Sequence, residues 1–263
     1  MSEPITSLSN PLIKQARALR QKKARDESGL FLVEGILHTG EAAAAGWQIE
    51  SLLYCPARLK SDYGRELVER LAARHVHTQP VSETVFESFS EKENPAGIAA
   101  LVRQKHLRLD QFPPFRLAVA LVSPQDPGNI GTILRSIDAT GADGLILLEG
   151  GADLYHPSTV RASMGSLFWK PIASASFAEF AAWARVGDFR IIGTSAHTAS
   201  TLVVGRPAPS QPTLLLLGSE QKGLSPDQLS ICTDLLSLPM RGRATSLNLA
   251  VAAGVFLYML TSE

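Results

Sequence analysis

Three short segments concentrate the side chains of this chain that can do chemistry. Asp126-Pro-Gly-Asn-Ile-Gly-Thr-Ile-Leu-Arg-Ser136 places Asn129 and Arg135 just after the apolar run Leu117–Val122. Leu214-Leu-Leu-Leu-Gly-Ser-Glu-Gln-Lys-Gly-Leu-Ser-Pro226 ends a buried-looking strand in Gly218, Glu220 and Gly223. Leu236-Ser-Leu-Pro-Met-Arg-Gly-Arg-Ala-Thr-Ser-Leu-Asn248 runs through a loop with Arg241 and Arg243 to Ser246 and Asn248. An amide, a guanidinium, a carboxylate and a hydroxyl at strand ends suit alignment of a polar substrate and stabilisation of a developing negative charge. They do not suggest a metal, because the six histidines are scattered and His75 with His77 alternates as a surface strand pair would. Dinucleotide and nucleoside triphosphate binding lose their usual support, since neither G-x-G-x-x-G after the first strand nor G-x-x-x-x-G-K-[ST] occurs.

The elements that must position these residues alternate. From Arg116 onward the pattern predicts strands at Leu117–Val122, Gly144–Leu148, Arg190–Thr194, Thr213–Leu217 and Leu235–Leu238. Helices are expected at 129–140, 158–163, 177–185, 226–232 and 246–260. Strands that are apolar throughout and separated by helices predict a mostly parallel sheet covered on both faces, with ligands at the carboxyl ends of its strands. Asn129 and Arg135 are six residues apart and would lie on nearly opposite faces of one helix, so Asn129 is expected as the N-cap with Arg135 inside. Ser246 is expected to open the last helix and Asn248 to lie within it. There Asn248 is a poor helix former and reads as functional, whereas capping competes with catalysis as the explanation of Ser246. Glu220 either organises Asn129, Ser246 and Asn248, meets the substrate, or caps loop amides.

Ahead of this region, shorter elements predict a small α/β sandwich over residues 1–103, with 104–115, charged and then proline-containing, as a linker to 116–263. Residues 10–25 carry Lys14, Arg17, Arg20, Lys22, Lys23 and Arg25 with no acid, which reads either as a basic helix along phosphates or as a solvated face.

In order along the chain, N-I-G-T-I-L-R, L-G-S-E-Q-K-G and L-P-M-R-G-x-x-x-S-L-N resemble the SpoU class, the TrmH-like RNA 2'-O-ribose methyltransferases of the SPOUT superfamily. The resemblance implies an α/β C-terminal domain with a mostly parallel sheet tied into a deep trefoil knot. It implies a small α/β ribosomal-protein-like RNA-binding domain before it, for which F-L-V-E-G and N-P-A-G-I-A-A-L-V speak. It also implies S-adenosylmethionine as methyl donor, with Gly218, Leu238 and Leu247 as contacts, joined by Met240 and Thr194. Leu238, Met240 and Leu247 could sandwich an adenine, and Gly218 would let backbone approach a ligand without a Cβ between. Asn129 would order the active loop, Arg135 would meet the RNA, and Arg161, at a further basic position of the family, would bind RNA phosphate or lie near the donor. Beside the resemblance, Arg241 and Arg243 flank the loop before Ser246 and read as substrate contacts or as solvent-exposed, and Lys14 and Arg17 belong to the basic stretch that could lie along RNA. A guanidinium has no acceptor site, so Arg135 is read as a clamp on phosphate and developing alkoxide, with the proton leaving by water or a neighbouring group.

A 2'-hydroxyl substrate excludes DNA. A full leading domain favours ribosomal RNA over tRNA; base methylation and a non-catalytic assembly factor are the competing readings. The class implies a homodimer, with which the apolar final helix is consistent. At 263 residues, 45% hydrophobic and 19% charged with formal net charge zero, the chain reads as globular, not as a charge-driven coat on nucleic acid. The final helix falls short of the ~20 residues of a membrane span, and two distant cysteines with no signal-like segment fit a reducing cytoplasm.

Overall fold

The computed structural model describes residues 3–195 and 211–261. Contacts divide the chain into two compact units: Met1–Lys105 with Tyr155–Phe168, and His106–Leu154 with Trp169–Glu263.

Unit 1 contains α1 (Pro11–Ala18), α2 (Lys22–Ser28), β1 (Leu30–Glu34), α3 (Ile36–Ala44), β2 (Ile49–Tyr54), α4 (Asp62–Ala73), β3 (His77–Pro80), α5 (Glu83–Phe89) and β4 (Ile98–Arg103). Its sheet has the order β1-β4-β2-β3, with β4 antiparallel to both neighbours and β2 parallel to β3. Burial is continuous through β1 and β4 up to their last residues, so both faces are covered. The segment 155–168 joins this unit through aromatic contacts. The Tyr155 ring lies 4.5 Å from that of Phe31, and the Trp47 indole N–H donates to the Phe168 carbonyl at 2.9 Å.

The expected basic helix over 10–25 is two helices. α1 begins at Pro11 behind an Asn10 cap, and the chain turns at 19–21 before α2 starts. Arg25 is not presented to solvent at all: it is 1% exposed and its guanidinium donates to the Leu19 carbonyl at 2.7 Å. A cation in the apolar face of a short helix is tolerated because that carbonyl receives it, a pairing that charge counting does not reveal. His75 likewise sits outside the strand, in a left-handed turn with φ 62°, and only His77 belongs to β3.

Unit 2 contains β5 (Leu117–Val122), α6 (Pro127–Ala139), β6 (Gly144–Leu148), β7 (Ile172–Ala175), α8 (Phe177–Val186), β8 (Arg190–Thr194), β9 (Thr213–Leu217), α9 (Pro226–Ser230), β10 (Asp234–Leu236) and α10 (Leu249–Thr261); between β6 and β7 the chain passes into unit 1 as α7 (Pro157–Ala162). All six strands run parallel in the order β10-β8-β9-β5-β6-β7. The chain builds outward from β5 to β7, crosses to β8, returns to the middle with β9 and leaves again to β10. The strand order therefore reverses between β5 and β9. That crevice is where open parallel sheets bind ligands.

Residues 104–115 are not a free linker. Leu109, Phe112 and Phe115 are buried in the core of unit 2, where Phe115 meets Trp183 and Phe189. Three large apolar residues among the charges outweigh the proline signal, since each gains about 1.5–3 kcal/mol on burial.

Candidate active site

Helix α6 begins one turn earlier than the sequence reading placed it. Asp126 is the N-cap, its carboxylate accepting from the Gly128 amide at 2.7 Å, and Pro127 occupies the first helical position with its φ already helical. Asn129 therefore lies inside the first turn, 8% exposed, with its side chain free for other partners. Helix α10 begins later than expected, at Leu249, so Ser246 and Leu247 are outside it. Asn248 is its cap: Oδ1 accepts from the amides of Ala250 at 2.9 Å and Val251 at 3.3 Å. The expectation that Ser246 would open the helix and Asn248 would lie within it is thus corrected, and Ser246 is not the cap.

These shifts bring three of the five expected catalytic residues together. Asn248 Nδ2 donates to Asn129 Oδ1 at 3.0 Å, and Asn129 Nδ2 donates to Glu220 Oε1 at 3.3 Å. The Glu220 carboxylate also accepts from the Gln125 amide, at 3.2 Å to Oε2. The chain of bonds joins the loop after β5, the first turn of α6, the loop after β9 and the start of α10, spanning the crevice where strand order reverses. Each net bond contributes about 0.5–1.5 kcal/mol, so the row fixes geometry more than it stabilises the fold. Gln125 was missed because its part is played by a backbone amide, which no residue pattern marks. That amide is aimed by Ser123 at φ 45° and by the Gln125 side chain, which donates to the Ser123 carbonyl at 2.8 Å.

Arg135 is exposed, and among the described residues it makes no ion pair; Asp138, three residues on, pairs with Lys170 at 3.3 Å. Ser246, Arg241 and Arg243 are exposed on the loop before α10 and are not drawn into the row of bonds.

On the other side of the crevice, Thr194, Gly218 and Leu238 stand at or just beyond the carboxyl ends of β8, β9 and β10, which are neighbours in the sheet. Thr194 Oγ1 donates to the Leu216 carbonyl at 3.4 Å. The fold itself requires Gly218: a Cβ there would lie 2.1 Å from the carbonyl carbon of Gly223, where its own loop folds back. Met240 and Leu247 are 38% and 41% exposed, and Leu238 is half-buried. Apolar side chains left uncovered beside polar strand ends fit the flat faces of a purine. Among the described residues no group of three or more His, Cys, Asp or Glu could hold a metal, and no helix is long and apolar enough to cross a membrane.

Of the cations expected at RNA, Lys14 is exposed on α1, and Arg17 donates to the Leu8 carbonyl at 2.9 Å. Arg161 lies in unit 1, in the last turn of α7, 3.5 Å from Glu91.

Residues 116–258 match the SpoU rRNA Methylase family, and residues 10–100 match the MRM3-like substrate binding domain. The chain is 35% identical to a 23S rRNA (uridine(2479)-2'-O)-methyltransferase of Streptomyces viridochromogenes, over 97% of this chain and 90% of that protein. It is 30% identical to the 23S rRNA (guanosine(2553)-2'-O)-methyltransferase RlmP of Bacillus subtilis, over 97% of this chain and 98% of that one. Among solved structures, the AdoMet-bound rRNA methyltransferase from Sinorhizobium meliloti superposes with a TM-score of 0.87 at 36% identity, covering 98% of this chain and 97% of the other.

Proposed function

The chain belongs to the SpoU rRNA Methylase family, and on that premise we propose that it transfers a methyl group from S-adenosylmethionine to a ribose 2'-hydroxyl of ribosomal RNA. The observation that carries the reading is the row Gln125, Glu220, Asn129, Asn248 across the reversal of strand order, beside uncovered apolar side chains suited to a nucleoside donor.

S-adenosylmethionine supplies an electrophilic methyl carbon. Thr194, Gly218, Leu238, Met240 and Leu247 would hold the donor, with the three leucine and methionine side chains on the adenine. The remaining demand is alignment of the hydroxyl oxygen, worth roughly 7–11 kcal/mol when complete. Asn129 and Asn248, locked to each other and to Glu220, fix the start of α6, and α6 carries Arg135 one to two turns further on. The Arg135 guanidinium binds phosphate and ribose and stabilises the oxygen as it loses its proton; having no acceptor site, it leaves that proton to water or a neighbouring group. Ser246, Arg241 and Arg243 stand on the exposed loop before α10, available to the RNA.

The match of residues 116–258 to the SpoU rRNA Methylase family supports a trefoil knot in unit 2, where α10 returns onto α6 after the excursion to β10. The exposed apolar Val251 and Val255 on α10 support a homodimer. The exposed cations of unit 1 and the family match of residues 10–100 support an RNA-holding role for that unit.

The deciding experiment is nucleoside mass spectrometry on separated ribosomal and transfer RNA after incubation with the protein and labelled S-adenosylmethionine. Label is expected in a 2'-O-methylated nucleoside of ribosomal RNA. Label on a base, or in tRNA alone, overturns the proposal. Arg135→Ala is expected to abolish transfer while donor affinity is kept, and near wild-type activity would remove Arg135 from its role.

A further inference from the structure

Unit 1 contains a cleft that the methyl-transfer chemistry does not use. It lies between the end of β1, the turn after α5 and the helix α7, over an apolar floor of Leu32 and Val160. Arg20, Lys92 and Arg161 line it together with Glu34 and Glu91.

The two carboxylates do different things. Glu34 is committed to the fold: one oxygen accepts from the Ser90 hydroxyl at 2.6 Å and the other from the Glu91 amide at 3.1 Å, which pins the turn carrying Glu91 and Lys92. Glu91 faces the cations, 3.9 Å from Arg20 and 3.5 Å from Arg161. Those are long contacts for a guanidinium and a carboxylate. Elsewhere in the chain, Arg108 and Asp110 close to 2.6 Å, as do Arg65 and Asp62. The two arginines thus stand beside Glu91 without closing on it, Arg161 also reaching the Ser158 hydroxyl at 3.5 Å, and each keeps roughly half its side-chain surface in solvent. Lys92 makes no ion pair among the described residues, and its Nζ would lie 3.5 Å from a Cβ on Gly35, so it folds back over the end of β1 toward the same cleft.

A phosphodiester carries one negative charge spread over two oxygens, as a carboxylate does, and a guanidinium reads either group with the same pair of N–H donors. We propose that this cleft seats a backbone phosphate of the RNA substrate between Arg20, Lys92 and Arg161, and that Glu91 occupies the seat until the phosphate displaces it. The inference rests on RNA being the substrate. It adds a second, non-catalytic contact to that reading and gives Glu91 a role opposite in sign to the cations around it. A simple clamp would make Glu91 favourable to RNA binding by keeping the arginines ordered. A competing anion makes it unfavourable.

Filter binding of deproteinised 23S ribosomal RNA to the full chain across a range of potassium chloride concentrations tests this. Donor affinity and thermal midpoint are measured alongside for each variant. Glu91→Gln, which keeps shape and loses charge, is expected to bind RNA about two- to fivefold more tightly, the size of a released exposed ion pair. Arg20→Ala and Lys92→Ala are expected to bind more weakly, each flattening the log–log salt dependence by about 0.7–0.9. Donor affinity stays unchanged in Glu91→Gln and Lys92→Ala. Weaker or unchanged RNA binding by Glu91→Gln overturns the proposal, as does an unaltered salt slope in Lys92→Ala. If the wild type methylates the RNA and the variants bind it as the wild type does, this proposal alone falls. If it binds donor yet neither binds nor methylates RNA, the proposed function falls with it.

Discussion

Exchanging the polar partners Asn129 and Glu220 tests the row of hydrogen bonds most directly. Asn129→Asp alone sets a carboxylate about where the amide donated to Glu220, 3.3 Å away. At the effective dielectric of about 20 that suits a pair near the surface, two unit charges at that separation repel by about 5 kcal/mol. The pair can instead take up a proton, which for an ordinary carboxyl near neutral pH costs roughly 3–4 kcal/mol. The cheaper route sets the penalty. If the penalty falls on the aligned state, kcat drops by about two to three orders of magnitude. Glu220→Gln alone removes one acceptor from the pair formed by the Gln125 amide and Asn129, a loss of about 1 kcal/mol. Combining the two restores every partner: the new amide donates to the new carboxylate, its carbonyl oxygen accepts from Gln125, and the second carboxylate oxygen accepts from Asn248. Single-turnover transfer of labelled methyl groups to ribosomal RNA should therefore recover in the double variant to within about tenfold of wild type, a strong coupling for residues in contact. If the two single effects simply multiply, the residues do not act through each other and the reasoning fails.

Three further outcomes follow from other contacts. Burial holds the His38 imidazole below its ordinary value of 6.5, with Lys92 and Arg161 acting in the same direction and backbone bonds to Arg161 and Glu34 opposing. The unfolded chain then binds the extra proton first, so stability is full above about pH 6.5 and declines as pH falls toward the folded value. His38→Gln should flatten the thermal midpoint against pH over that window, and an unchanged slope would exclude His38 as its source. Gly218→Ala drives a methyl group into the Gly223 backbone and should cost about 1–3 kcal/mol by thermal melting while weakening donor binding; a wild-type melt would show that the loop yields. Sedimentation should give a dimer that Val251→Asp with Val255→Asp dissociates, and a wild-type monomer would end that proposal.

The centre of the parallel sheet was legible because its strands are buried on both faces, whereas the edge strand Ile172–Ala175, half-exposed and without an apolar run, was not expected. Leu117–Val122, Gly144–Leu148 and Thr213–Leu217 read as unbroken apolar runs, and the structure keeps those bounds. The polar segments were legible as a set because each follows such a run. Their arrangement was not. Asn129 was expected to cap α6, although Asp126 followed by Pro127 is the stronger start signal, and Asn248 was expected inside a helix that it caps. One-turn errors of this kind decide which way a side chain points. The basic stretch near the N-terminus failed differently: the sequence counts charges, while Arg25 disappears beneath a carbonyl that only the turn at 19–21 brings near.

Asn248 has a consequence for what substitution can tolerate. Its oxygen serves the amides of α10 and its nitrogen serves Asn129. Aspartate, serine or threonine would start the helix about as well, so a screen that scores folding alone would pass all three as harmless. None of them at neutral pH offers the same amide donor to Asn129. On the proposed function, the identity of this residue is held by its bond to Asn129 while its polarity is held by the helix. A survey of variants should find the position permissive in abundance and strict in activity.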